Sequence, residues 1–75
     1  MTKANIVGTQ IRAIRKEKNL TQEQLAAKCN LEGFDISRGT LAKIEAGVRQ
    51  VIDIEIVLIS KALNIGIDEL FKVKG

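Results

Sequence analysis

The sequence predicts a single all-α domain. Its short length, the absence of a linker and the helical spacing of its apolar residues support that prediction. A chain of 75 residues can bury one small core. No internal repeat, low-complexity tract or linker divides the chain, so residues 1–75 are expected to form one domain. Apolar residues recur at helical spacing along most of the length, which predicts five helices.

The first two predicted helices lie before residue 34. One is expected over about residues 6–18, with Asn5 as its N-cap and an apolar face made of Val7, Ile11 and Ile14. The next begins with a capping box, in which Thr21 and Gln24 can each satisfy a free backbone amide. Gly33 then ends this helix or the turn beyond it.

Three further helices complete the prediction. The third follows Ser37 as N-cap and closes at Gly47, with an apolar side of Leu41, Ile44 and Val48. The fourth runs from about residue 52 to residue 63 and stops at residues 64–66, with a core stripe of Ile52, Ile56, Ile59 and Leu63. The last is a short turn through residues 68–71.

Composition argues against several classes of function. The chain has no histidine and one cysteine, Cys29, so it lacks the usual general base, a zinc-type ligand set and a redox pair. We therefore expect no enzyme activity, no metal and no cofactor. A lone cysteine fits a reducing compartment, and no signal peptide or membrane span is apparent, so we expect a soluble, cytoplasmic protein without a membrane partner.

The positive charge is concentrated in the first two-thirds of the chain. Residues 1–49 contain nine basic and five acidic side chains, whereas residues 50–75 contain three basic and four acidic ones. This distribution indicates an anionic partner for the first region, or simply a solubilising surface.

The third predicted helix has an outward face of small and basic residues. Arg38 and Thr40 flank its N-terminal end, and its outer side carries Gly39, Ala42, Lys43 and Ala46. Such a face suits a helix that enters the DNA major groove, where small residues allow close approach and long donors reach base edges. The alternative is a solvated face made of good helix formers.

Four segments of the sequence together resemble a known family. Residues 11–15, 20–26, 36–47 and 62–71 are similar to the helix-turn-helix domain of the Cro and phage-repressor type, also described as lambda-repressor-like or xenobiotic response element-like. The matches span about residues 6–71. The resemblance implies a compact five-helix DNA-binding domain, and in this sequence the helix-turn-helix is lengthened between its second and third helices.

The resemblance also implies a set of DNA contacts. Gln22 would bind a backbone phosphate and brace the third helix, and Arg49, in the loop after that helix, would bind another phosphate. Arg38, Gly39, Thr40 and Lys43 would occupy the base-reading positions of the third helix, where Thr40 could reach a phosphate or a thymine methyl. Ser37, at the start of the helix, would also belong to the DNA-binding set. Alternatively, Gln22 only caps its helix and Arg49 is a solvated loop charge.

Arg15 and Glu45 are expected to form a structural ion pair. An acid in the last turn of a helix opposes the helix dipole, so Glu45 needs a compensating partner. In the family, an arginine seven residues before the glutamine pairs with a glutamate two residues before the closing glycine. Arg15 and Glu45 have this spacing from Gln22 and Gly47.

One segment departs from the family pattern. Residues 30–35 replace the usual tight turn, and either the second helix extends through Leu31 or an apolar loop packs Phe34 on the core. The tilt of the third helix is therefore left open.

The fourth helix carries a second apolar side formed by Ile54, Val57 and Leu58. A small monomer seldom exposes such a patch, which indicates a homodimer interface, or else a face covered by Leu70 and Phe71 of the last helix. From these features we expect a transcriptional regulator that binds double-stranded DNA sequence-specifically, as a repressor that occupies an operator as a homodimer. The alternative is a protein-binding module of the same fold, such as an antitoxin or adaptor.

Overall fold

Four α-helices and a short 3-10 helix form the fold in the computed structural model, which describes residues 3–72. The α-helices, in chain order α1 to α4, and the closing 3-10 helix span Gly8–Glu17, Gln22–Leu31, Arg38–Glu45, Asp53–Leu63 and Ile67–Phe71. No strand occurs between residues 3 and 72, so the described chain is all-α. It measures 31 × 22 × 21 Å along its principal axes.

The core lies where the helices cross. Helix α2 packs against α3 and α4, α1 packs against α3, and the 3-10 helix contacts both α1 and α4. Each helix contributes at least one fully buried aliphatic side chain to this core, including Ile11, Leu25, Leu41, Ile44, Ile59, Leu63 and Leu70. Burial of these apolar side chains is the main favourable contribution to folding.

The capping signals of α2 and α3 are confirmed. The Thr21 hydroxyl accepts a hydrogen bond from the Gln24 amide at 3.0 Å, and the Gln24 side chain accepts one from the Thr21 amide at 2.8 Å. The Ser37 hydroxyl caps α3 by accepting from the Thr40 amide at 3.1 Å. Gly33 and Gly47 have φ angles of +92° and +79°, conformations that favour glycine after a helix.

The start of α1 differs from the prediction. The helix begins at Gly8 with Val7 as its N-cap, so Asn5 is not the N-cap and Ile6 is exposed. The Asn5 side chain nevertheless accepts a hydrogen bond from the Gly8 amide at 2.7 Å. It also donates to the carbonyls of Ile44 in α3 and Arg49 in the loop after it. These bonds hold Asn5 against the end of α3, before the first residue of α1.

Both alternatives for residues 30–35 occur together. Helix α2 extends through Leu31, whose side chain is exposed, and Phe34 is buried in the core. The connection between α2 and α3 therefore has its own apolar anchor.

Two apolar positions were wrongly assigned to the core. Val48 and Ile52 are 65% and 57% exposed. Helix α3 ends at Glu45 and α4 begins at Asp53, so both residues lie on the connection between them. Helical spacing does not apply there, and it could not predict which way they face.

Candidate nucleic-acid interface

Helix α3 has a buried side and an open side. Leu41 and Ile44 are fully buried and anchor it in the core. Arg38, Gly39 and Lys43 are exposed, as is Ala46 just after the helix, while Thr40 and Ala42 are half-buried. The structure therefore brings most of the predicted DNA-facing positions to one exposed surface.

Gly39 is not required by the fold. A Cβ built there would meet only the Ser37 hydroxyl oxygen within 4 Å, at 3.8 Å, and the backbone is helical. Replacement of a glycine by alanine in a backbone conformation that alanine can adopt usually stabilises a protein by roughly 0.4–1 kcal/mol. A glycine at this position leaves bare backbone on an exposed helix, which is useful where another molecule must approach closely.

The two hydroxyl groups at the start of α3 are hydrogen-bonded to each other. The Ser37 hydroxyl lies 3.1 Å from Thr40 Oγ1 and also accepts from the Thr40 amide. If the Ser37 hydroxyl is the donor, the Thr40 hydroxyl keeps its own proton for an outside acceptor. Ser37 then serves mainly as the cap, and Thr40 is the more available of the two.

A buried ion pair joins α1 to α3. Arg15 Nε and Nη2 donate to the two carboxylate oxygens of Glu45 at 2.7 and 3.1 Å, and Arg15 Nη1 donates to the Leu20 carbonyl at 2.7 Å. The Gln22 side-chain amide donates to the same Glu45 carboxylate at 3.1 Å. The first residue of α2 is thus tied to the last residue of α3, and Gln22 retains one amide hydrogen for another acceptor.

Arg49 forms a second ion pair. Its guanidinium makes a two-pronged contact with the Glu55 carboxylate, at 2.9 and 3.0 Å, and donates to the Gln50 carbonyl at 2.8 Å. Hydrogen bonds from Arg49 hold the pKa of the Glu55 carboxyl below its ordinary value, so the pair stays charged at neutral pH. Glu55 also accepts from the Ile52 amide at 3.1 Å, at the start of α4.

The second apolar side of α4 is only partly open. Ile54 is 54% exposed, whereas Val57 and Leu58 are half-buried and Leu58 packs against the core. The 3-10 helix lies against α4 with Leu70 buried, but Phe71 is exposed. The three residues therefore do not form one uniform open patch.

Sequence reasoning missed three polar connections around α3. Glu55 was not singled out, Asn5 was expected only as a helix cap, and Asn30 only as part of a long turn. Their partners are backbone carbonyls or residues distant in sequence, and hydrophobic periodicity carries no signal for such contacts.

Two features are absent from the part of the chain that the structure describes. Residues 3–72 contain no group of three or more histidine, cysteine or carboxylate side chains arranged to hold a metal ion. None of the helices described there is long and apolar enough to span a membrane.

The fold and this exposed helix define a helix-turn-helix protein. The sequence pattern of the helix-turn-helix family matches residues 11–70, and the chain belongs to the Cro and phage-repressor branch of DNA-binding regulators. Among solved structures, the restriction-modification controller protein C.AhdI from Aeromonas hydrophila is similar, with 32% identity, a TM-score of 0.77 and 87% of each chain covered.

A second similar structure is that of the clp gene regulator ClgR from C. glutamicum. It is 22% identical, with a TM-score of 0.79, and the match covers 91% of this chain and 82% of the other. At this identity the likeness shows the fold alone. No curated protein sequence matches this chain.

Proposed function

We propose that this protein is a sequence-specific regulator of transcription that places α3 in the major groove of double-stranded DNA. The observation that carries the proposal is Gly39, an exposed helical glycine that the fold does not need. Gly39 lies between the exposed side chain of Arg38 and the half-buried side chain of Thr40. The other side of the helix is anchored in the core by Leu41 and Ile44. A glycine lets the helix backbone come close to the base edges, and a long donor such as Arg38 can then reach their acceptors.

The contacts divide into base reading and phosphate binding. Arg38 would place its planar fork on the acceptors of a guanine, and Lys43 would reach the groove from the next turn. Thr40 and Gln22 would bind phosphates with the protons that their internal hydrogen bonds leave free. In this assignment the exposed side of α3 selects the DNA sequence, and the phosphate contacts at its edge fix the position of the protein on the duplex.

Arg49 would bind phosphate in exchange for part of its contact with Glu55. Its guanidinium already uses two nitrogens on that carboxylate, and its side chain is 33% exposed. A phosphate group offers the same two-pronged geometry as a carboxylate. Glu55 would therefore hold Arg49 in place and also compete with DNA for it.

A homodimer that acts as a repressor is part of the proposal. Ile54 at the start of α4, with the half-buried Val57 and Leu58 beside it, would pair with a second copy. Two copies would set their α3 helices about 34 Å apart, which is one turn of DNA. Likeness to a restriction-modification controller protein supports a role in gene regulation.

A protein-binding module of the same fold is the second candidate. The observation that favours it is the set of exposed apolar side chains near the start of α4: Val48, Ile52 and Ile54. An apolar surface of this kind could bind another protein instead of a second copy.

Selection from random DNA duplexes tests the proposal. Wild-type protein should enrich one motif, and its affinity for that motif should fall by orders of magnitude between about 50 and 200 mM salt. Arg38→Ala should relax the preference at one or two positions, which corresponds to a loss of about 1–3 kcal/mol of discrimination. The proposal is wrong if no motif is enriched and the wild type behaves like the Arg38→Ala variant.

A further inference from the structure

Asn5 joins three separate segments through its side-chain amide. Its Nδ2 donates to the carbonyl of Ile44 in α3 at 3.1 Å and to the carbonyl of Arg49 in the following loop at 2.8 Å. Its Oδ1 accepts from the amide of Gly8 at the start of α1 at 2.7 Å. Both amide hydrogens and one oxygen lone pair are therefore used.

The surrounding backbone fits closely around this contact. The amide of Ala4 donates to the carbonyl of Gly47 at 2.8 Å. A Cβ on Gly8 would collide with the carbonyl oxygen of Ile44, and a Cβ on Gly47 would press on the side chain of Lys3 at 3.0 Å. Residues 3–8 therefore lie directly against the C-terminal end of α3.

Asn30 makes the corresponding connection at the other end of α3. Its Nδ2 lies 2.7 Å from the carbonyl of Ala26 in its own helix, and 3.2 and 3.0 Å from the carbonyls of Phe34 and Ile36. Ile36 immediately precedes Ser37, the N-cap of α3. The last turn of α2 is thus fastened to the backbone that leads into α3.

The core holds the central and later turns of α3, and the buried Arg15–Glu45 pair adds a contact at its last residue. Helix α3 has eight residues, and its fully buried side chains, Leu41 and Ile44, lie in its central and later turns. At about 1.5 Å rise per residue, a tilt of about 10° around its centre moves each end by roughly 1 Å. Displacements of this size are enough to spoil a recognition geometry.

We propose that Asn5 and Asn30 are positioning residues that fix the two ends of α3 for sequence discrimination. This inference rests on the proposed function, because it concerns how α3 meets DNA. Neither asparagine needs to touch DNA for the effect. Their amides set the tilt of α3, so their loss should reduce the preference for the cognate sequence while leaving the general attraction to DNA intact. Backbone phosphate contacts carry no sequence information and act on every duplex, whereas the base contacts that a tilt of α3 would disturb supply the preference for one sequence.

The test compares specific and non-specific binding in Asn5→Ala and Asn30→Ala. Dissociation constants are measured for the selected duplex and for an unrelated duplex, at a temperature at which circular dichroism shows every variant folded. Leu70→Ala is the matched control, because it weakens the core under the 3-10 helix and leaves both asparagines unchanged. If either alanine variant does not fold, Asn5→Ser and Asn30→Ser, which keep one hydroxyl donor, replace it.

The expected result is a fall of at least about tenfold in the ratio of specific to non-specific affinity for both asparagine variants, with non-specific affinity changed less than about twofold. Leu70→Ala should keep the wild-type ratio. A wild-type ratio in the asparagine variants, or an equal loss for both duplexes, would overturn the inference while the proposed function stands. Failure of the wild type to prefer any duplex would overturn the proposed function and the inference with it.

Discussion

Glu45 and Arg15 are joined by two hydrogen bonds, and their side chains are only 3% and 9% exposed. The pair is completed by Gln22, which donates to the same carboxylate at 3.1 Å. Three helices therefore share one buried acidic group. A buried charge pair of this kind adds little net stability over apolar packing, but loss of one partner leaves the other uncompensated.

Glu45→Gln should destabilise the protein by about 3–5 kcal/mol, because Arg15 would remain buried without a counter-charge. Chemical denaturation monitored by circular dichroism measures the loss. Glu17→Gln, an exposed change in the same region, is the control and should stay within about 0.5 kcal/mol of the wild type. Equal stabilities of the two variants would contradict a structural role for the pair.

Gly39→Ala should make the protein more stable and a weaker DNA binder. The added methyl group meets only one atom within 4 Å, at 3.8 Å, so the protein should gain roughly 0.4–1 kcal/mol of stability. The same methyl group would occupy the space that the DNA needs, and affinity for the selected duplex should fall about tenfold or more. Ala13→Ser, on an exposed part of α1, is the control for a small added group. Undiminished binding by Gly39→Ala would show that no close approach occurs there.

Glu55→Gln should strengthen DNA binding through Arg49. The substitution removes the charge that competes for the guanidinium but keeps an oxygen that can cap the Ile52 amide. Affinities are measured over a series of salt concentrations, alone and in an Arg49→Gln background. Arg49→Gln should reduce the slope of log affinity against log salt concentration by about 1, the change expected for one lost phosphate contact. It should also abolish the gain in affinity from Glu55→Gln. A gain that persists without Arg49 would mean that Glu55 acts only through its general charge.

Ile54→Glu should dissociate the proposed homodimer at micromolar concentration. Ile54 is the exposed member of the α4 patch, so the change should disturb the interface without damaging the core. Leu31→Glu makes the same change of charge at an exposed apolar residue on another surface and should leave the dimer intact. Sedimentation velocity measures both. A monomeric wild type, or a dimeric Ile54→Glu variant, would rule out this interface.

The Cys29 thiol should be almost inert in the native protein at pH 8. Burial, assisted by the nearby charge of Glu32, raises its pKa to about 11, so very little thiolate is present. A disulfide reagent should therefore react about 100-fold or more slowly than in denaturant. A second thiol, introduced by Ala13→Cys on the exposed side of α1, should react rapidly and serves as the control. Comparable native and denatured rates for Cys29 would contradict this environment.

The helices and their ends were largely predictable from the sequence because the relevant signals are local. The capping residues Thr21, Gln24 and Ser37 act on amides within their own turn, and Gly33 and Gly47 provide the positive φ angles that follow α2 and α3. Residues beyond the last turn carry no such signal. Val48 was therefore placed in the core although it is exposed.

The site was predictable to the extent that it depends on which side of α3 is buried. The spacing of Leu41 and Ile44 was enough to predict that Gly39 and Lys43 face outward, and both are exposed. The contact between Arg49 and Glu55 was not predictable, since it depends on how the loop folds back on the start of α4. No property of either residue alone distinguishes a paired side chain from a solvated one.

The division of α3 into an anchored side and an open side has an evolutionary consequence. Substitutions at Arg38 or Lys43 alter what the helix presents without disturbing the buried contacts of Leu41 and Ile44. Descendants of this chain can therefore acquire new target sequences one residue at a time while the scaffold is inherited unchanged. Changes on the buried side of α3, by contrast, must preserve the hydrogen bonds that Glu45 makes with its partners. The buried half of the helix should therefore diverge more slowly.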